Sequence, residues 1–271
     1  MATKKANPKA TKKTVNANAK RKIVKSTKVV SSNADANNTA ANLFANAPFG
    51  AMFAEFVGTF LLAAIVVSTS GQPIFILFAL IAITLTVGHL SGAQLNPAIT
   101  FGAWVSRKMS TANAIYYIVA QVLGAMLALV VLNSLLGGLP ATANQLTGQP
   151  EAATLFKATQ AVSGKEWFAF FASMLGMGVF GFGFASALKE KKEHIAAAFT
   201  VGGALFMGLI IAGQVAILNP AIAFTLQAFS GLKGNNAMTW AIAIHIAAPL
   251  IGATVGFLLY DLFRRDVDTS A

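Results

Sequence analysis

Six apolar stretches, each close to the length of a membrane span, constrain the fold of this 271-residue chain more than any other feature. About 20 helical residues cross the ~30 Å hydrocarbon core of a bilayer, where a helix satisfies its own backbone polar groups. Glu55 is the one formal charge within these stretches. The sequence therefore predicts an all-α membrane protein with six transmembrane helices. The stretches are 49–70, 73–91, 113–136, 167–188, 195–214 and 236–260.

The first 48 residues are strongly basic and show almost no apolar periodicity. They hold ten Lys or Arg residues and one acid, Asp35. A segment of this composition buries too little surface to offset its ordering entropy, so residues 1–48 are predicted to form a disordered tail. The tail is interpreted as a solvated extension or as a contact for anionic membrane lipid. Nucleic-acid binding is disfavoured, because the basic stretch 4–28 has no aromatic residue to stack on bases.

Basic residues outside the spans fall mainly on one side of the membrane if the six stretches alternate in direction. That side receives the tail, Arg107, Lys108, Lys189, Lys191, Lys192, Arg264 and Arg265, whereas the other receives Lys157, Lys165 and Lys233. The positive-inside rule then places both termini in the cytoplasm. We expect an integral, multi-pass protein of the plasma (inner) membrane.

A seven-residue sequence occurs twice, at 95–101 and 218–224, with six identical positions. Each copy lies at the start of an apolar stretch, 96–106 or 219–230, that is too short to cross a bilayer. Each also follows two full spans and precedes a third, so the second copy must insert with the opposite topology, as an inverted repeat. A half-helix that ends inside a membrane requires a cavity lined by protein or filled with water. The repeat therefore indicates a channel or a transporter.

The repeated residues suit two helix starts that meet at mid-membrane. Asparagine is a strong N-cap and proline is favoured at the first helical position. The asparagine oxygen can accept from its own helix, which leaves the side-chain NH₂ as a donor, and each helix start carries a positive partial charge. The oxygen of a water molecule could accept hydrogen bonds from both amides, whereas a cation would be repelled. The alternative interpretation is that the two capped helices only pack against each other and bind no water. The residues are Asn96, Pro97, Ala98, Asn219, Pro220 and Ala221.

With these motifs the chain resembles the aquaporin (major intrinsic protein) family. Further matching stretches are AEFVGTF at 54–60, GHLSG at 88–92 and AQVLG at 120–124. The resemblance covers residues 49–263 as an aquaporin-like channel domain and leaves 264–271 as a short cytoplasmic C-terminus. It implies one pore per subunit, a homotetramer and passive conduction of water or glycerol-like neutral solutes. By the same resemblance His89 lies near the pore, and Glu55 supports a half-helix through the loop backbone.

The second half departs from the family pattern. The arginine that usually follows the second motif is replaced by Ile222, and the counterpart of Glu55 is Ala172 or Ser173. The resemblance places the selectivity filter at four positions. They are Ile76, Met207, Ala216 and Ile222, with Gly208 or Leu209 as alternatives to Met207. Such an apolar ring is either a narrow hydrophobic constriction or a wide passage, and we favour the wide one because Ala216 and Ile222 are short.

The sequence does not favour an enzyme. It offers no paired carboxylates and no nucleophile–base pattern, and it has no cysteine. Its three histidines, His89, His194 and His245, do not pair at metal-ligand spacing, so neither a metal nor another cofactor is expected. The expected partners are water, small neutral solutes and membrane lipid. The alternative to a channel is a non-conducting scaffold or adhesion protein that retains the same fold.

Overall fold

The computed structural model describes most of the chain beyond the basic tail. The described residues are 47–137, 142–143, 150–151, 155–161, 163–189, 193–213, 217–232 and 236–270. The tail predicted for residues 1–48 lies outside them except for its last two residues, and its boundary with the channel domain stays a prediction.

Within this part of the chain, six helical spans are long and apolar enough to cross a membrane. Two half-helices, α3 and α7, lie between spans. In chain order the helices are α1 Phe49–Ser68, α2 Pro73–Ser91, α3 Pro97–Val105, α4 Thr111–Gly137, α5 Glu166–Lys189, α6 His194–Ala212 and α7 Pro220–Thr225. The last span runs through α8 Ala237–Ile242, a π-helical turn Ala243–Ala247 and α9 Ala248–Ser270. The predicted all-α class with six transmembrane helices and two half-helices is confirmed.

Two details differ from the predicted elements. A two-residue antiparallel pair, β1 Thr142–Ala143 with β2 Pro150–Glu151, lies between α4 and α5, where no strand was expected. The second half-helix, predicted over 219–230, ends at Thr225. It stops because Gln227 adopts φ +54°, so that the Ala228 N–H donates to the Ala223 carbonyl at 3.0 Å and closes the last turn.

Glycines bring the first and third spans of each half into backbone contact. A Cβ atom added at Gly124 of α4 would lie 2.2 Å from the Phe56 carbonyl oxygen of α1. In the second half, a Cβ atom at Gly252 of α9 would lie 2.2 Å from the Met174 carbonyl oxygen of α5. Both crossings exclude any side chain, as in close helix packing inside membranes. The two halves therefore repeat one packing arrangement.

Each half-helix packs against the last span of the opposite half. Gly102 of α3 lies against Ala253 and Phe257 of α9. Thr225 of α7 donates its hydroxyl to the Ala125 carbonyl of α4 at 2.8 Å. This exchange interlocks the halves, and it brings the two half-helix starts to the middle of the bundle as the inverted repeat predicts.

We expect Gly124→Ala to destabilise the fold, because the added methyl group meets backbone that cannot move aside. Overpacking of this kind costs about 1–3 kcal/mol. The measurement is the thermal unfolding midpoint of the purified protein in detergent. Gly203→Ala in α6 is the matched control, since nothing lies within 4 Å of its added Cβ. A Gly124→Ala protein as stable as the control would contradict the crossing.

Candidate pore and its polar supports

Asn96 and Asn219 each cap the half-helix that follows them. The Asn96 Oδ1 accepts from the Ala98 N–H at 2.9 Å, and the Asn219 Oδ1 accepts from the Ala221 N–H at 3.0 Å. Both asparagines have extended backbone, and a proline follows each at the first helical position. Both helix starts therefore have the capped geometry that the sequence predicts.

Reciprocal hydrogen bonds join the two asparagines across the repeat. The Asn96 Nδ2 donates to the Leu218 carbonyl at 2.9 Å, and the Asn219 Nδ2 donates to the Leu95 carbonyl at 2.8 Å. Each side-chain NH₂ thus uses one hydrogen to hold the opposite half and has a second hydrogen left to donate. Both asparagines line the same cavity, so two amide donors are fixed side by side at its inner end.

Glu55 holds the loop that leads into the first half-helix. It is fully buried in α1, and four donors converge on its two carboxylate oxygens. These donors are the Ser91 hydroxyl at 2.6 Å, the Gln94 N–H at 2.9 Å, the Leu95 N–H at 2.7 Å and the Gln121 Nε2 at 2.7 Å.

The loop needs this support because its backbone is strained. Ala93 and Leu95 adopt φ values of +47° and +52°, a region that costs non-glycine residues about 1–3 kcal/mol each. The Glu55 carboxylate binds the N–H of Leu95 while the Leu95 carbonyl accepts from Asn219. Glu55 therefore fixes one of the two carbonyls that join the halves.

The second half has no matching carboxylate. Ser173 of α5 immediately precedes Met174, as Glu55 precedes Phe56 at the equivalent helix crossing. Ser173 is fully buried, and its Oγ has no hydrogen-bond partner among the described residues. The second half-helix is instead tied through Thr225 to α4, so the two halves support their asparagines by different means.

A cavity of about 470 Å³ extends from an exposed mouth to the two asparagines. The mouth is formed by Ser70, Gln72 and Thr159, at the end of the molecule where α1 ends and α2 begins. The floor is formed by Asn96, Asn219 and Gln94, all buried. An apolar belt lies between them and consists of Leu62 and Val66 from α1, Ile76 and Leu80 from α2, and Leu205 and Leu209 from α6.

The structure brings only part of the predicted filter to this cavity. Ile76 and Ile222 line it and are 4% and 3% exposed. Met207 does not line it and is 54% exposed, so its assignment to the filter is corrected. The backbone of Gly208 faces Gly176 of α5, which turns residue 207 outward and leaves Leu209, the alternative position, on the cavity side. Ala216 lies outside the described residues.

The cavity does not include His89. This residue lies in the last turn of α2, is exposed, and has its ring 6.4 Å from the ring of His194, measured between centroids. Its pore-lining role stays a prediction. His245 lies in the π-helical turn, buried against the Phe229 ring. No group of three His, Asp or Glu residues within the described segments could hold a metal ion.

Three features of the site were missed from the sequence. They are the reciprocal amide–carbonyl bonds, the contribution of Phe180 to the cavity wall, and the pairing of Leu205 with Leu209 on one face of α6. The spacing of four residues between Leu205 and Leu209, repeated at Leu62–Val66 and Ile76–Leu80, is the signal that could have found the belt.

We expect Glu55→Gln to lower the free energy of unfolding by about 2 kcal/mol. The new side-chain NH₂ faces buried donors and leaves at least one of them without an acceptor. Thermal unfolding in detergent measures the loss. Glu193→Gln is the matched control, since Glu193 is exposed and makes no side-chain cap on α6. Equal unfolding midpoints for the two variants would show that Glu55 is not a structural support.

Known proteins resemble this chain in sequence and in fold. A protein named probable aquaporin TIP1-2 from Oryza sativa subsp. japonica is 30% identical over 181 residues, which cover 64% of this chain and 63% of that protein. Aquaporin TIP1-1 from Arabidopsis thaliana is 28% identical, over 67% of this chain and 66% of its own length. The chain thus matches slightly less than two thirds of the length of these relatives.

The fold also matches the X-ray structure of the aquaglyceroporin from Plasmodium falciparum. The TM-score is 0.64 with 21% sequence identity, over 83% of this chain and all of the other. The sequence model of the major intrinsic protein family matches residues 44–260, which include the first five spans, both half-helices and most of the sixth span. The chain therefore belongs to the major intrinsic protein family and is a multi-pass membrane protein.

Proposed function

We propose that the chain is a passive pore that conducts water and small neutral solutes such as glycerol in single file past Asn96 and Asn219. The observation that carries this proposal is the pair of amide donors at the floor of the cavity. Each side-chain NH₂ has one hydrogen bound to the opposite half and one left for a passing oxygen. A water or hydroxyl oxygen that reaches the floor can accept from both amides at once.

Neutral solutes are favoured because the described wall of the cavity offers no formal charge. Its polar residues are Ser70, Gln72, Gln94, Asn96, Thr159 and Asn219, all uncharged. An ion that loses its hydration shell there would find no opposite charge to compensate the loss. Donor-only contact with the two amides also disfavours a cation at the floor.

The residue one helical turn after Asn219 decides how strongly the pore selects solutes by size. Ile222 lines the cavity one turn from Asn219 and offers neither charge nor hydrogen-bond donor from its side chain. Mouth residues, Ile222 and both asparagines line the same cavity, and an isoleucine side chain is shorter than arginine, which supports the wide passage over a hydrophobic constriction. We therefore infer a water-permeable pore with relaxed size selection.

The test compares wild type with Ile222→Arg in proteoliposomes, by the rates of water, glycerol and proton flux. Arginine narrows the passage and adds fixed donors and charge, so glycerol flux should fall by a larger factor than water flux. Ile222→Leu preserves volume and apolarity and should change neither. Wild-type water flux equal to that of protein-free liposomes would favour the non-conducting scaffold. Glycerol exclusion by wild type, unchanged by arginine, would place the filter elsewhere.

Family membership and the distribution of charge support a proposal for the assembly and the orientation. We propose a homotetramer with one pore per subunit, in the plasma (inner) membrane, with both termini in the cytoplasm. The excess of basic residues on that side supports the orientation. Residues 1–48 then form a cytoplasmic tail that contacts anionic lipid; the family match beginning at residue 44 supports the boundary with the channel domain, 49–263.

We expect deletion of residues 2–43 to leave water conduction unchanged, because the described spans and the described lining of the cavity lie outside this segment.

Full-length protein in sealed vesicles should lose the tail to a protease added on the cytoplasmic side only. A peptide of residues 1–48 should bind vesicles that contain anionic lipid and release them as salt rises. Loss of insertion on deletion, or binding to purely zwitterionic vesicles, would contradict this assignment.

A further inference from the structure

The apolar belt forms two layers of aliphatic side chains around the cavity. Val66, Ile76 and Leu209 each lie within about one helical turn of the helix end at the mouth, roughly 3–5 Å from it at 1.5 Å per residue. The other three belt residues lie one turn deeper on the same helices. Three helices thus present matching pairs at a spacing of four residues, which places each pair on one helix face.

The belt supplies no hydrogen bond to a passing molecule from its side chains. Ile222 from the second half-helix and Phe180 from α5 add further apolar side chains to the wall. In the segment before Asn219, the Leu218 carbonyl uses one of its two lone pairs to accept from the Asn96 amide. Among the described residues, the polar side chains that line the cavity lie at its mouth and at its floor, with an aliphatic zone between them.

Such a wall treats the polar and apolar parts of a solute differently. A hydroxyl that leaves water and finds no partner is penalised, whereas a methyl or methylene group gains by contact with aliphatic side chains. Among molecules of equal size, the one with fewer hydrogen-bonding groups crosses the zone more easily. The asparagines at the floor still need one oxygen to bind.

We propose that this pore selects neutral solutes by hydrophobicity, and that its preferred substrates are small molecules with one apolar face and one or two hydroxyl groups, ahead of polyols of the same size. This rests on the proposed function, since it names the substrate class of the same pore. Apolar contact in the belt and one oxygen at the amide floor together define the class.

The experiment compares glycerol with 1,2-propanediol, which has the same three-carbon skeleton and one hydroxyl fewer. Purified full-length protein is reconstituted in liposomes, and the rate for each solute is corrected by that of protein-free liposomes. The channel-mediated permeability should be about tenfold higher for 1,2-propanediol, as expected for one hydroxyl without a partner. Equal rates, faster glycerol, or water flux with exclusion of both solutes would overturn the proposal.

Variants separate selection in the belt from leakage around the protein. Leu209→Ser adds a hydroxyl to the wall and should lower the propanediol-to-glycerol ratio several-fold by raising glycerol flux. Ile211→Ser is the matched control, since Ile211 lies on the same helix, is 44% exposed and does not line the cavity. Ile222→Thr repeats the test from α7 if Leu209→Ser does not reconstitute. A ratio that Leu209→Ser or Ile222→Thr leaves unchanged would overturn the proposal.

Failure of this proposal differs from failure of the proposed function. A wild-type protein that conducts neither water nor either solute above protein-free liposomes is not a pore, and the substrate class falls with it. A wild-type protein that conducts water but shows no preference for 1,2-propanediol remains a pore whose selection lies outside the belt.

Discussion

The structure depends on a constraint of the membrane interior: two helices begin in the middle of the bundle, and their backbone groups must be satisfied without bulk water. The asparagines meet this constraint in two ways at once. Their oxygens cap their own helices, and their amides bind the carbonyl that precedes the opposite asparagine. Four hydrogen bonds thus hold both helix starts and join the halves.

The two halves reach this common arrangement by unequal means. In the first, the buried Glu55 carboxylate fixes a loop whose Ala93 and Leu95 are strained. In the second, Ser173 lies at the equivalent crossing, where its hydroxyl has no hydrogen-bond partner within the described part of the chain, and Thr225 ties the short half-helix to α4. An internal repeat therefore preserves the backbone geometry of the asparagines while the supporting side chains diverge.

The same arrangement separates polar from apolar surface in the cavity. Because the amides are fixed at the floor, the helices that surround them can present aliphatic side chains toward the mouth without exposing backbone polar groups. Ile222 extends this apolar wall to within one turn of Asn219. In the pore that we propose, selection among neutral solutes depends on the hydrogen bonds that the wall does not supply as much as on the oxygen that the floor binds.

The sequence by itself determined the six spans, the two capped half-helices and their inverted relation, because apolar length and N-cap chemistry are local properties. The resemblance to the aquaporin family, carried over by offsets from the two motifs, also pointed to Ile76 and Ile222, which line the cavity. Only the tertiary structure decided the rest. Met207 faces outward because the contact of Gly208 with Gly176 sets the rotation of α6, and α7 ends at Thr225 because of the φ of Gln227. The bonds between the halves join residues over 120 positions apart, a distance at which the chain specifies contacts only through packing.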